Sequence, residues 1–216
     1  MSPAEPGVLD PGERLFWTLM RRFERLAVDR YAAHAPALAG ESKRRFVARL
    51  EEVGADETAL AESPLARPIS GLLARAQSAD EPTTLLVQGL VLEYLGQAVY
   101  RIVHGTSRVV SDPSRRLARD GLAASETVTA AAASRIPECI GTGDVLYAAF
   151  VATSYDVLSA LDGLADPVDR VFGERFGLGF ADVMGEFTAD LIGACTALGM
   201  QRRKVVAHLA GAAMGI

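Results

Sequence analysis

Residues 82–104 read PTTLLVQGLVLEYLGQAVYRIVH. Proline follows Glu81, and from Leu85 onward apolar side chains occupy most of the circumference of a helix turning 100 degrees per residue. Glu93, Gln97, Arg101 and His104 fall on one narrow stripe, while Gly89 and Gly96, seven residues apart, share another line. Glycine inside a helix costs about 1 kcal/mol relative to alanine, so the pair predicts a neighbouring element at close range. A helix that is polar along one stripe alone belongs inside a bundle, and 82–104 is expected to be the central helix.

The rest of the chain resembles this stretch in composition. Of 216 residues, 50% are hydrophobic, and mean hydropathy is +0.18. That balance raises the question of a membrane span, which the spacing of charges answers. Glu81 and Glu93 bracket 82–92, Asp144 and Asp156 bracket 145–155, and Asp190 and Arg202 bracket 191–201. None approaches the roughly 18 to 20 uncharged residues that a spanning helix needs, so no membrane span is expected.

Residues 1–10 are acidic and proline-rich, with neither a basic start nor an apolar run, so no secretory leader is expected. Cys139 and Cys195 are too few for a disulfide framework and read as free thiols in a reducing compartment. The expectation is a soluble, cytoplasmic protein. A formal net charge of -5 and a pI near 5.3 give no electrostatic footprint for nucleic acid. Of the 22 basic residues only Lys43 and Lys204 are lysine, which, beside the abundant alanine, reads as compositional bias.

Helix starts are marked by Asp10-Pro11, Glu81-Pro82, Asp112-Pro113 and Asp166-Pro167. An acidic side chain accepts from free first-turn amides, and proline there forfeits no hydrogen bond. Gly105, Gly163 and Gly199 are expected to end helices. Over 11–34, Leu15, Phe16, Leu19, Met20, Phe23, Leu26 and Ala27 recur at helical spacing; Arg21, Arg22, Glu24, Arg25, Asp29 and Arg30 fall largely on the other face. A second amphipathic helix over 41–53 carries Phe46, Val47, Leu50 and Val53. From 54 to 79 the pattern fades and Pro64 and Pro68 interrupt it, so a weakly ordered connection is expected. Further helices follow over 113–136, 143–162, a short piece from Pro167, 180–198 and 201–214. No alternating run makes a convincing strand. The fold class expected is all-α: one domain over 1–216, a bundle of about seven to nine helices in which the amphipathic 11–53 pair packs on a core bundle over 80–216.

Asp182, Glu186 and Asp190 stand four apart on one stripe of an apolar helix, where like charges repel unless something compensates them. Water, arginines or a ligand would do so, and with Glu93 the stripe forms a candidate metal or ligand set of the carboxylate-bundle kind. The Glu-x-x-His pairs of such sites are missing, since Tyr31, Arg101 and Val205 precede His34, His104 and His208 by three residues, so no metal is assigned. Residues 194–209, ACTALGMQRRKVVAHL, resemble a helix-turn-helix. Gly199 would make the turn, Met200 would pack inward, and Val205 and Leu209 would seat the second helix. The resemblance implies that Gln201, Arg202, Arg203 and Lys204 face nucleic acid; the plain alternative is a helical hairpin, favoured by the acidic chain as a whole.

Cys139 in IPECIGTG is expected on a loop near a helix start, where free amides stabilise a thiolate, or else as a small buried residue. Tyr147, Phe150, Tyr155, Phe172, Phe176, Phe180 and Phe187 either line an apolar ligand site or form core. Ala210, Gly211, Ala212, Ala213 and Gly215 would let two helices approach closely. With no catalytic constellation and no cofactor motif to name, the reading ranked first is a non-catalytic interaction or regulatory module that self-associates through this C-terminal helix or takes a protein partner. A bundle that binds a metal or apolar ligand, or acts as an oxidoreductase, through Glu93, Asp182, Glu186 and Asp190 ranks second. A DNA-binding regulator using Gln201 to Lys204 ranks third.

Overall fold

The computed structural model describes residues 9–54, 56–77, 81–105, 110–173 and 176–213. Among them are ten α-helices and no strand. Helix α1, Pro11–His34, opens with a reciprocal cap: Asp10 Oδ1 accepts from the Glu13 amide at 3.0 Å, and the Glu13 carboxylate accepts from the Asp10 amide at 3.2 Å. Glu13 also accepts from the Ser111 amide at 2.7 Å, and the Trp17 indole N–H donates to Ser114 Oγ at 2.9 Å. The starts of α1 and of α6, Asp112–Cys139, are thereby fastened together. The side-chain cap of α6 is Ser111 rather than an acid, so its Asp-Pro pair lies one residue inside the helix.

Helix α2 spans Glu41–Glu52. The stretch expected to be weakly ordered forms two further helices, α3 over Glu57–Glu62 and α4 over Ala66–Gln77. Pro68 does not break α4, because it lies in the first turn, where its missing N–H has no partner to lose. Leu60, Leu65, Ile69, Leu72 and Ala76 supply a buried stripe at helical spacing. Asp56 caps α3 and donates its own amide to Thr18 Oγ1 at 2.8 Å, while Arg21 and Arg22 pair with Glu57. Half-buried cations of α1 thus meet the start of α3.

Helix α5, Pro82–Gly105, makes its most extensive contact with α6. Tyr100 meets Gly121 while Gln97 donates to Thr129 at 3.1 Å, so the two helices run antiparallel. A Cβ at Gly121 would lie 2.7 Å from Phe46 and 2.8 Å from Tyr100, so this glycine is what lets both rings in. Of the paired glycines inside α5, Gly89 carries the close approach, to the Tyr31 phenol of α1, whereas Gly96 has nothing nearer than 3.8 Å.

Helix α7, Gly143–Leu161, continues through a 3₁₀ turn, Asp162–Leu164, into α8, Ala165–Val168, and a π turn, Asp169–Gly173. Gly163 therefore does not stop the helix, and Asp166-Pro167 does not open a new one. By length and composition α7 is long and apolar enough to cross a membrane, with a mean hydropathy of 1.2. In the fold it packs on α4, α5 and the last helix. Helices α9, Phe180–Ala197, and α10, Arg202–Ala213, form a hairpin whose turn is Gly199 at φ +86°, with Met200, Val205 and Leu209 buried. Ser154 Oγ lies 2.8 Å from His208 Nε2, and burial lowers the pKa of that imidazole, keeping it neutral.

Gly121→Ala should lower stability by about 1 to 3 kcal/mol, since two aromatic rings must move for one methyl group. Urea unfolding followed by circular dichroism measures this, and an unchanged midpoint would show that the α5–α6 contact is looser than described.

Candidate functional site

The helical stripes of α1, α2 and α5 each carry one charged residue where an apolar one is expected. On α1, Glu24 lies one turn from Met20 and one from Ala27; on α2, Lys43 stands three residues before Phe46; on α5, Glu93 follows Gly89 by four. All three are buried, at 5%, 1% and 4% exposure respectively. They meet in the interior, with Lys43 Nζ 2.5 Å from Glu24 Oε2 and 2.6 Å from Glu93 Oε2.

Two phenols complete the group. Tyr31 donates to Glu93 Oε1 at 3.2 Å, and Tyr100 donates to Glu24 Oε1. Ser125 of α6 donates to the Glu93 carbonyl at 3.0 Å. Glu24 Oε2 is held by the ion pair alone, without a directional hydrogen bond.

The charge states follow from this geometry. Burial pulls the Lys43 pKa down, but the two adjoining carboxylates outweigh it and the net shift is upward, so the ammonium stays charged. Burial raises the Glu93 pKa, Lys43 opposes that shift, and the Glu24 carboxylate reinforces it. Burial and the same carboxylates push Tyr31 and Tyr100 well above the usual phenol range, which keeps both as neutral donors. One ammonium thus faces two carboxylates in a region of low dielectric.

Beside this group lies a cavity of about 160 Å³, partly open to the surface. Phe16, Met20, Phe23, Leu72, Leu92 and Phe172 are typical of its wall. Glu24, Arg30, Tyr31, Lys43, Gln88 and Glu93 are its polar lining. Phe172 and Phe180, from the aromatic set noted in the sequence, border it; Phe150, Phe176 and Phe187 are core, and Tyr147 and Tyr155 lie on α7. Helix α4, from the stretch expected to be poorly ordered, contributes Ile69, Leu72 and Ala76 to the wall.

Glu93 and the carboxylate stripe are not brought together. Glu93 points toward α1 and α2, whereas Arg101, eight residues further along α5, pairs with both Glu186, at 3.2 Å, and Asp190. Asp182 is exposed, its carboxylate folded back toward Gly179. Among the described residues no group of three or more His, Cys, Asp or Glu is arranged to hold a metal ion. Gln201, Arg202 and Arg203 are exposed at the start of α10, while Lys204 pairs with Asp144 at 2.7 Å and lies over the Tyr147 ring.

Cys139 is exposed at the C-terminal end of α6, where backbone carbonyls rather than amides are free, so the expected thiolate-stabilising setting is absent there. Burial pushes the Cys195 thiol up to about 12. The Ala212 and Ala213 side chains and all of Gly215 lie outside the described residues.

Glu24, Tyr31, Lys43 and Tyr100 were not among the candidates drawn from the sequence. Their signal was register: Glu24 and Lys43 stand on the apolar stripes of their helices, and Lys43 is a lysine in a chain that otherwise favours arginine. No family model, curated protein or solved structure matches the chain.

Lys43→Met should destabilise the protein by about 3 to 5 kcal/mol, because it leaves two buried carboxylates without a counter-charge. Adding Glu24→Gln and Glu93→Gln to that variant should restore most of the loss. Urea midpoints of the single and triple variants provide the check, and a single variant as stable as wild type would contradict the assigned charge states.

Proposed function

We propose that this chain binds a small, largely apolar molecule in the cavity bounded by α1, α4, α5 and, from later in the chain, Leu161, Leu164, Val168, Phe172, Leu178 and Val183. The observation that carries this reading is the lining: hydrocarbon on most of the wall and a compact set of buried charges at one place on it. Protein interiors are close-packed, with few voids larger than a water molecule. A cavity of about 150 Å³ lined by aliphatic and aromatic side chains suffices for benzene. A space of 160 Å³ therefore suits a ligand of comparable size, and the partial opening gives it a route. Ordinary ligand sites have the same character, a mostly apolar concavity with a few placed polar groups.

Gly96 offers a clean test, because it borders the cavity and has room for a side chain. Calorimetric titration with 2-phenylethanol should show saturable binding to wild type, and Gly96→Leu should weaken it at least about tenfold while leaving the melting temperature unchanged or higher. No binding to wild type, or equal binding to the variant, would remove the proposal.

A second reading, self-association, is favoured by a different observation. Val145, Tyr155 and Val206 are exposed at 65%, 46% and 41%. Ala148 and Ala152 continue the α7 stripe, and Ala207 and Ala210 are exposed on α10. Contiguous apolar surface of this kind marks contact sites. Light scattering after size exclusion should report a dimer that Val145→Glu converts to a monomer; a wild-type monomer at high concentration would discard this reading.

A further inference from the structure

The polar part of the cavity is unevenly supplied. From α1 it receives Glu24, Arg30 and Tyr31, from α2 Lys43, and from α5 Gln88 and Glu93; Tyr100 and Ser125 stand behind this lining, bonded to Glu24 and to the Glu93 carbonyl. The deepest donors are already committed: Lys43 to both carboxylates, Tyr31 to Glu93, and Tyr100 to Glu24. Glu24 and Glu93 both line the cavity, and acceptor capacity remains on their carboxylates, since Glu24 Oε2 meets the Lys43 ammonium without a directional hydrogen bond. With both carboxyls ionised, Glu24, Lys43 and Glu93 together carry one more negative than positive charge, and an uncompensated charge in an apolar interior is costly. A bound proton relieves this, and so does a bound cation.

We infer that the cavity selects a small hydrophobic amine, its ammonium group donating to Glu24 and Glu93 and its hydrocarbon part lying against Phe16, Met20, Leu72 and Leu92. This rests on the apolar-ligand reading above and adds to it the sign of the head group. The upward shift of the Glu93 pKa accords with a site that takes up positive charge. Arg30, a partly exposed cation on the lining, is the group that would favour the opposite sign, an anionic head.

The test is a titration at pH 7 with three probes of nearly equal shape: 2-phenylethylamine, 2-phenylethanol and phenylacetate. The amine should bind at least about tenfold more tightly than the alcohol, and the acid most weakly. Glu24→Gln, which keeps an acceptor for Tyr100, should bring amine and alcohol within about threefold of each other, with circular dichroism confirming that the variant is folded. Should Glu24→Gln fail to fold, Glu93→Gln serves as the second variant with the same expected loss of preference. Gly96→Leu should abolish all binding and so tie it to this cavity.

Equal binding of amine and alcohol, or tighter binding of the acid, overturns the amine assignment while leaving the cavity reading in place. An amine preference that persists in the glutamine variants overturns the role of the two carboxylates. Failure of all three probes to bind overturns both.

Discussion

An ammonium group buried between two carboxylates holds three helices of this protein in relation to one another. Lys43 draws α2 onto α1 through Glu24 and onto α5 through Glu93, at 2.5 and 2.6 Å. Removing charges from water is expensive, and only close, well-partnered geometry offsets the cost. The geometry here depends on a compact point charge. A guanidinium, planar and wider, asks for a paired fork of acceptors rather than one oxygen on each side. A chain whose basic residues are, apart from Lys43 and Lys204, all arginine therefore has a physical reason for lysine at position 43.

The same constraint explains two glycines. Each carboxylate takes a hydrogen bond from a tyrosine, and each tyrosine passes over a residue without a side chain: Tyr31 beside Gly89, and Tyr100 beside Gly121. Polar group, donor and glycine form a unit in which a change at any member is felt by the others. The cavity sits where this assembly gives way to hydrocarbon, so one part of it is chemically distinct, and the remaining wall, Arg30 and Gln88 aside, offers shape and dispersion.

Most of the helical layout was legible because apolar spacing and proline at first turns are local signals. The extents read for 11–34 and 82–104 agree with α1 and α5 to within a residue. The signal failed where two local cues competed: Pro64 does separate α3 from α4, but Pro68 was weighed above the Leu65, Ile69 and Leu72 stripe, although proline in a first turn breaks nothing. The site was less legible still. Glu93 was singled out, but as a partner of Asp182, Glu186 and Asp190; the last two pair with Arg101 instead, and Asp182 is exposed. Glu24 was assigned to the solvent face and Lys43 to composition, because a charge on an apolar stripe acquires meaning only once its counter-charge on another helix is known. That pairing, between residues 43 and 93 and between 24 and 43, is tertiary information.

The passage from α7 into the π turn has a consequence of its own. A 3₁₀ turn advances the chain by more angle per residue than an α-helix and a π turn by less, so the two departures offset one another. Leu161, Leu164, Val168 and Phe172 accordingly remain in line along one side of the cavity, as they would on an uninterrupted helix. Substitution within this row alters packing locally and leaves the register of the row intact. Insertion or deletion of a single residue would swing everything downstream by about 100 degrees and turn Phe172 away from the space it encloses, so this part of the chain is constrained in length more strictly than in identity.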